Sequence, residues 1–498
     1  GTNLSSIYFG ENGNLISGSL TNQFSGGSSS QRAFESYFGR VNYSLMDRYL
    51  LSATLRHDKI SSLPHGNQGA TLPGASIGWR ISEEDFFKSA NLNFISELKL
   101  RGGYAKVGNV EIGNYPYAGL FAATQYGSLS GIRYNQPANN GLRFETSKKM
   151  NFGLDLSMLS NRISFTAEYF KNDIDNLILL APTAPSLGIP TNKMAQNVGQ
   201  MKNQGWEFSV SSTNIQTEKF TWRSNLNFTT VKNEVVKLVN GSDIVNTYNI
   251  TRVGESIGSF FGYQNHGVNS ANGNPIFEKA DGSLIQQKVG TSGYAKYNPA
   301  DPSNISEAAA ALTFADKRVL GNAMPTWYGG FNNTFNYGNF DMNVFLTFSG
   351  GNKVYNVTRQ EQLNNQQFAN GGKELLDRWR EAGQVTDVPK LHYASDNYQL
   401  QNGNLNSRFL ENGNFLRAQN IAIGYTIPAG FKNKMKASTF RVYAQVQNAF
   451  IITKYSGLDP ELSTAMLATD ASANQAPGLD NRANPVPRVY TVGINLGF

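Results

Sequence analysis

"RVYTVGINLGF" at residues 488–498 alternates apolar with small or polar residues and ends on a phenylalanine. Successive side chains of a strand point to opposite faces, so one face of this segment is apolar. That face carries Tyr490, Val492, Ile494, Leu496 and Phe498. A free strand end frays in water unless it is paired. The pattern predicts a paired strand, either in a soluble sheet with a buried face or in a closed barrel whose apolar face contacts lipid.

The composition favours the barrel. Charged residues make up 16% of the chain, below the roughly 25% typical of soluble domains. The longest apolar runs fall far short of the ~18 residues of a membrane helix, which excludes helical spanning. The net charge of +7 comes without a Lys/Arg block or a base-stacking module, so no nucleic-acid partner is predicted. The absence of cysteine fits an exported bacterial protein and leaves no thiolate for metal binding or nucleophilic attack.

The same period of two recurs along the chain and predicts fifteen strands. Their opposite faces carry mainly Asn, Ser, Thr, Gly and Gln, which suits a wet lumen better than a solvent-facing sandwich. The predicted strand centres lie near residues 41, 52, 77, 101, 154, 167, 208, 224, 248, 262, 331, 344, 422, 443 and 494.

Short turns and long loops mostly alternate between these strands, as they do in outer-membrane barrels. Among the short turns are 46–48, 160–162, 213–219 and 337–339. The predicted long loops are 108–142, 181–203, 269–323, 350–414 and 451–487. Aromatic residues near strand ends, Tyr49, Trp79, Tyr169 and Trp206 among them, fit interfacial girdles, although ordinary strand packing also favours aromatics.

Several motifs resemble the C-terminal part of the SusC/RagA family of TonB-dependent outer-membrane transporters of Bacteroidetes. Three linked segments are similar to the last three strands of that family: "ENGNFLRAQNIAIGYTIP" (411–428), "RVYAQVQNAFIITKYSGLDPEL" (441–462) and "NPVPRVYTVGINLGF" (484–498). Upstream, "PGASIGWRISEEDFF" (73–87) and "NVGQMKNQGWEFSV" (197–210) also resemble its signature segments. One departure is "RHDKISS" at 56–62, where the family often has Arg-Asp-Gly-Ser-Ser.

The resemblance implies an all-β fold, a transmembrane antiparallel β-barrel in the bacterial outer membrane. The chain is expected to supply the C-terminal fifteen or so strands of a plugged barrel of about 22. Residues 1–30 are expected to be an extracellular loop segment, and 31–498 the barrel wall with its long extracellular loops. The plug and the N-terminal domain are expected in the N-terminal half of the same polypeptide, outside this chain.

The family also implies a function, active import of oligosaccharides or oligopeptides. The implied partners are a SusD-like surface lipoprotein, TonB acting through the plug region, outer-membrane lipid, and the barrel-assembly machinery during biogenesis. The apolar residues of the last strand, Tyr490, Val492, Ile494, Leu496 and Phe498, resemble the signal that this machinery recognises. The alternatives are a passive porin and a structural subunit of a larger cell-envelope assembly.

No enzyme, metal site or cofactor is predicted. The four histidines lie far apart, and the adjacent His57 and Asp58 would point to opposite faces of a strand. "EKADGSL" at 278–284 is better explained by a β-turn than by a calcium loop.

The aromatic residues of the long loops are the candidate substrate contacts, because such rings stack on sugars and their polar groups bind peptide backbone. The alternative is that they pack the loops together. "KELLDRW" at 373–379 is predicted to be a short amphipathic helix of the loop scaffold. The candidate substrate-binding residues are Tyr115, Tyr117, Tyr126, Tyr134, Trp379, Tyr393 and Tyr398.

Overall fold

A computed structural model gives the fold. It describes residues 31–109, 113–114, 116–127, 129–189, 192–238, 241–291, 293–364, 370–391, 404–430, 437–463 and 476–498. Most of these residues are in antiparallel strands, and the chain also forms the short α-helices α1 (Asp85–Ser89) and α2 (Val357–Asn364). Neither helix has the length and apolar character required to cross a membrane.

The first part of the chain forms ten strands. They are β1 (Phe34–Leu45), β2 (Tyr49–Ile60), β3 (Gly69–Arg80), β4 (Ile95–Asn109), β5 (Leu120–Tyr126), β6 (Leu129–Gln136), β7 (Glu145–Met158), β8 (Ile163–Pro182), β9 (Lys193–Gln216) and β10 (Phe220–Leu238).

A long connection follows β10 and contains eight short strands. They are β11 (Ile244–Val245), β12 (Asn249–Thr251), β13 (Ser259–Val268), β14 (Pro275–Glu278), β15 (Leu284–Gln287), β16 (Tyr294–Lys296), β17 (Ala308–Ala309) and β18 (Arg318–Gly321).

The last part of the chain contains five long strands and five short ones. They are β19 (Trp327–Tyr337), β20 (Phe340–Gly350), β21 (Lys353–Asn356), β22 (Leu405–Asn406), β23 (Leu410–Asn412), β24 (Phe415–Thr426), β25 (Thr439–Gln447), β26 (Ile451–Thr453), β27 (Leu479–Asp480) and β28 (Val489–Gly497).

Thirteen long strands form one continuous sheet, which we call the wall. Its order is β1-β2-β3-β4-β7-β8-β9-β10-β19-β20-β24-β25-β28, with β26 paired to β24, and every neighbour is antiparallel. β1 and β28 are therefore the two edges of this sheet in the described part of the chain.

The wall differs from the sequence prediction in its strand count. The predicted strands near 248 and 262 exist, as β12 and β13, but they lie in a separate nine-stranded sheet that also contains β22. β12 is completely buried and β13 begins with five buried residues, so packing between loops, rather than contact with lipid and lumen, produces their apolar pattern. Because thirteen is an odd number and every neighbouring pair is antiparallel, the first and last wall strands run in the same direction.

Antiparallel pairing sorts the connections between wall strands to the two ends of the sheet. The short-turn end carries 46–48, 81–94, 159–162, 217–219, 338–339 and 427–438. The long-loop end carries 61–68, 110–144, 183–192, 239–326, 351–414 and 448–488.

Two predicted loop features differ in the structure. The loop predicted at 181–203 is reduced to 183–192, because β8 and β9 continue to pair after their apolar alternation ends. The segment predicted as a helix at 373–379 is a 3₁₀ helix over Lys373–Asp377. It is too short for a stable α-helix, and the Trp379 amide donates to the Val388 carbonyl oxygen instead of extending the helix.

The register of the wall gives it one apolar and one polar face. Val442 lies opposite Ile494, and Ala444 lies opposite Val492, so the apolar side chains of β25 and β28 share a face. Val492 is 79% exposed and Ile494 is 60% exposed. An apolar surface of this size, left open along a sheet, is the surface that a barrel presents to lipid.

Candidate functional site

The polar face of the wall carries fixed charges of both signs. Arg101 bridges Glu168 and Asp155, with 3.3 Å between Arg101 Nε and Asp155 Oδ2. Farther along the sheet, Arg441 Nε donates to Asp341 Oδ1 at 2.8 Å. Because these pairs join adjacent strands or strands separated by one other, they stabilise the sheet while they keep the face hydrophilic. The arrangement suits the lining of a water-filled lumen.

A cavity of about 700 Å³ opens over the first strands of the wall. Its lining includes Arg40, Arg56 and Lys149 together with Asn151 and Asn172. These cations and amides can donate hydrogen bonds to a ligand, and Leu72, Met150 and Phe170 give the same lining an apolar part.

Aromatic residues border the apolar face near both ends. Tyr169 and Trp206 pair with ring centroids 5.3 Å apart towards the long-loop end. Phe340 and Tyr425 pair at 4.6 Å beside the short-turn end. Such rings at two levels fit the interfacial girdles of a barrel, and the girdles stay a prediction.

The connections at the long-loop end share a buried core, which we call the loop core. It joins Phe260 of the 239–326 connection, Tyr355, Leu405 and Phe409 of the 351–414 connection, and Leu479 of the 448–488 connection, all at most 1% exposed. Complete burial strongly raises the pKa of Tyr355. Three long loops therefore form one packed assembly above the wall.

Polar contacts also stabilise two of these loops internally. Arg359 Nη2 lies 2.6 Å from Glu374 Oε1, and its Nη1 lies 3.3 Å from Glu411 Oε1. The hydrogen bond from Arg359 lowers the pKa of Glu374. Tyr455 donates to Asp480 Oδ2 at 2.6 Å, and burial raises the pKa of that phenol.

A buried ion pair fixes the last loop to the wall. Arg417 Nη2 of β24 lies 2.6 Å from Asp459 Oδ1, and the two side chains are 5% and 3% exposed. Sequence reasoning missed the loop-core and ion-pair residues, because each contact joins positions far apart in the chain. The only signal was an arginine and an acid inside two of the quoted family motifs, at 417 and 459.

The predicted substrate-binding residues make loop contacts where the structure describes them. Trp379 Nε1 donates to the Ser270 carbonyl oxygen at 2.8 Å and so joins two long connections. Tyr117 packs on the buried cluster that contains Leu63 and Phe144. Tyr134 pairs with Phe121 at 5.4 Å between ring centroids. These contacts fit the loop-packing alternative, and the role in substrate binding stays a prediction.

The other predicted substrate-binding positions are not described. Tyr115, Tyr393 and Tyr398 lie outside the described residues. Tyr126 ends β5, but its side chain is also outside the description.

Two motifs with possible chemistry have ordinary structural roles. His57 Nδ1 lies 3.0 Å from Thr71 Oγ1, whereas Asp58 accepts from Arg56 Nε at 2.6 Å, so the two neighbours do not act as a dyad. Asp281 accepts from the Ser283 amide at 2.9 Å, which is the predicted turn.

Comparison with known proteins identifies the family. Residues 2–276 match the family model described as "TonB dependent receptor-like, beta-barrel". TonB-dependent receptor P3 of Formosa agariphila is 30% identical over 93% of this chain. TonB-dependent receptor SusC of Bacteroides thetaiotaomicron is 31% identical, also over 93% of this chain. The chain spans about half the length of these relatives, 45% of the first and 43% of the second.

A solved structure shares the fold. The structure titled "Structure of the RagAB peptide transporter" superposes with a TM-score of 0.78 at 23% identity, over 94% of this chain and 48% of that chain. The resemblance to SusC/RagA transporters and the all-β barrel fold are thereby confirmed. The chain belongs to the TonB-dependent receptor-like β-barrel family and forms part of the wall of a bacterial outer-membrane barrel.

Proposed function

We propose that this chain is the C-terminal part of a SusC-like active importer of oligosaccharides or oligopeptides. The observation that carries the proposal is the sorting of its connections. Large connections gather at one end of a two-faced wall, where three of them share the loop core, while short turns occupy the other end. A receptor that captures cargo outside and passes it through a barrel needs this asymmetry.

The loop core supports capture at the long-loop end. Loops of this length bind a ligand in a defined place only when their own packing fixes them, and Tyr355, Leu405 and Leu479 provide that packing. On this proposal the long-loop end is extracellular, and residues 1–30 belong to the same side. Tyr117, Tyr134 and Trp379 line the capture site.

The proposed partners follow from the two ends. A SusD-like surface lipoprotein covers the long-loop end and retains the cargo. TonB acts at the short-turn end through the plug of the N-terminal half, since a plugged lumen passes nothing bulky by diffusion. The SusC relative is named a TonB-dependent receptor, which supports the proposed dependence on TonB.

Uptake in cells tests the proposal. The full-length gene and its neighbouring lipoprotein gene would be expressed in a strain that lacks both, and entry of labelled oligosaccharides and oligopeptides would be measured. We expect one of the two classes to enter, and we expect entry to stop after TonB deletion or addition of an uncoupler. Matched outer-membrane levels of the barrel in each strain are the control.

Two outcomes would contradict the proposal. Entry that persists without TonB and in the presence of uncoupler would indicate a passive porin. A protein that supports no entry of either class but copurifies with a larger envelope assembly would indicate a structural subunit.

A further inference from the structure

The short-turn end carries a cluster of exposed apolar side chains, which we call the interfacial patch. It comprises Met46, Phe86, Leu92, Phe94 and Leu159, of which Met46 is 73% exposed and Phe86 is 60% exposed. These residues come from the connections 46–48, 81–94 and 159–162. Water-exposed turns rarely expose this many large apolar groups together.

The connection 81–94 is attached to the apolar face of the wall, not to the polar one. Glu84, only 8% exposed, accepts hydrogen bonds from Tyr49 Oη at 2.7 Å and from Trp79 Nε1 at 2.9 Å. Tyr49 of β2 is paired with Trp79 of β3, and Trp79 is paired with Leu100 of β4. The three side chains therefore lie on the same, apolar face. The start of α1 therefore lies directly below the row of side chains that faces lipid.

Further contacts hold the three connections together. Arg48 Nη1 lies 3.1 Å from Glu84 Oε2, and its Nη2 lies 2.8 Å from Asp85 Oδ1, which joins 46–48 to 81–94. The Leu159 amide donates to the Phe94 carbonyl oxygen at 2.7 Å, which joins 159–162 to 81–94. The interfacial patch is thus one connected surface.

We propose that the interfacial patch inserts into the phospholipid leaflet at the short-turn end and anchors the wall there. The patch continues the lipid-facing surface past the Tyr49 and Trp79 rings, which have the amphipathic character of interfacial residues. Lys88, two residues after Phe86 in α1, is more than half exposed and pairs with Glu83 Oε2 at 2.9 Å within the same connection. Apolar side chains of such interfacial segments reach about 5–10 Å into the headgroup and acyl boundary.

Fluorescence quenching in bilayers tests the anchor. The full-length protein, with any cysteine outside this cysteine-free chain replaced, would carry Phe86→Cys labelled with bimane, in vesicles of phospholipid brominated along the acyl chains. Val492→Cys, on the apolar face and 79% exposed, is the positive control. Val385→Cys, at the long-loop end and 91% exposed, is the negative control.

We expect the label at 86 to be quenched by bromolipid as strongly as the label at 492 and severalfold more than the label at 385. The proposed anchor would be wrong if the label at 86 were quenched by bromolipid as weakly as the label at 385 and were quenched by aqueous iodide. The proposal would also be wrong if neither bromolipid nor iodide quenched the label at 86, because a protein would then cover the interfacial patch. These readouts require no import, so they are independent of the proposed function.

Discussion

At the residue scale, the Arg417–Asp459 pair makes the sharpest prediction. Arg417→Met leaves the Asp459 carboxylate buried without its cation, and we expect a loss of about 3–5 kcal/mol in the free energy of unfolding. Hydrogen exchange of residues 454–463 should rise in the same variant, because the pair attaches this loop to β24.

The matched control is the exposed pair between Arg482 and Glu361, whose side chains are 74% and 44% exposed. Arg482→Met should change the free energy of unfolding by no more than about 1 kcal/mol. Equal effects of the two substitutions would show that burial does not set the strength of these pairs.

Glycine at 493 leaves room for a neighbouring ring. A Cβ atom at this position would lie 2.5 Å from the Tyr443 ring, whereas one at Gly74 would lie 3.7 Å from its nearest neighbour. We expect Gly493→Ala to lower the free energy of unfolding by roughly 1–3 kcal/mol and Gly74→Ala to leave it nearly unchanged. Heat-dependent mobility of the folded barrel in gels measures the difference, and adding Tyr443→Ala should remove the penalty at 493.

At the element scale, the two faces of β28 differ in their tolerance of charge. Val492 points to the apolar face, and its neighbour Thr491 points to the polar face. Val492→Lys should reduce stability by roughly 2–4 kcal/mol if the site is near the bilayer centre, whereas Thr491→Lys should be accepted. The folded fraction in outer membranes measures both, and equal tolerance would contradict the assignment of the faces.

The stability of the separate sheet that contains β11–β18 should depend on pH through Tyr294. Tyr294 is 8% exposed, and burial raises its pKa to about 12. Because the folded pKa is above the ordinary value near 10, the unfolded state loses its proton first as pH rises. The stabilising effect is therefore complete below about pH 10 and is lost between about pH 10 and 12.

Absorbance of tyrosinate, followed together with protection of β14–β16 from hydrogen exchange, measures this loss. Tyr294→Phe is the control, because it keeps the ring and removes the ionisable group. If the variant loses protection over the same pH range as the natural chain, Tyr294 is not the cause.

The elements of the wall could be predicted from the sequence because each obeys a local rule. Along a strand such as β20 or β25, lipid and lumen impose a period of two. The rule ends where the membrane ends. β12 and β13 are apolar because loops pack around them, and β9 continues beyond the girdle through polar residues that still pair with β8.

The contacts of the candidate site could not be predicted in this way. Tyr355 reaches Leu479 and Tyr248 through the loop core, and such pairs are set by tertiary packing across more than a hundred residues. Loop aromatics such as Trp379 were recognised as notable, but the sequence does not distinguish a ring that binds cargo from one that joins two loops.

At the scale of the whole molecule, Phe498 should control assembly. The ring is 88% exposed at the end of the last wall strand, where nothing in the described chain covers it. We expect deletion of Phe498 to lower the amount of protein inserted in the outer membrane, and Phe498→Tyr to retain most of it. Normal insertion of the deletion variant would remove Phe498 from the assembly signal.

The length of β9 has a consequence for what happens outside the cell. Its 24 residues extend roughly 80 Å, or roughly 60 Å of height at a tilt of about 40°, against an apolar band of about 25 Å. The part of the wall formed by β8, β9 and β10 therefore continues, with its strands hydrogen-bonded, well above the bilayer. With the long-loop end outside, as proposed, antibodies and phages that approach the cell meet this rim before they reach the lipids.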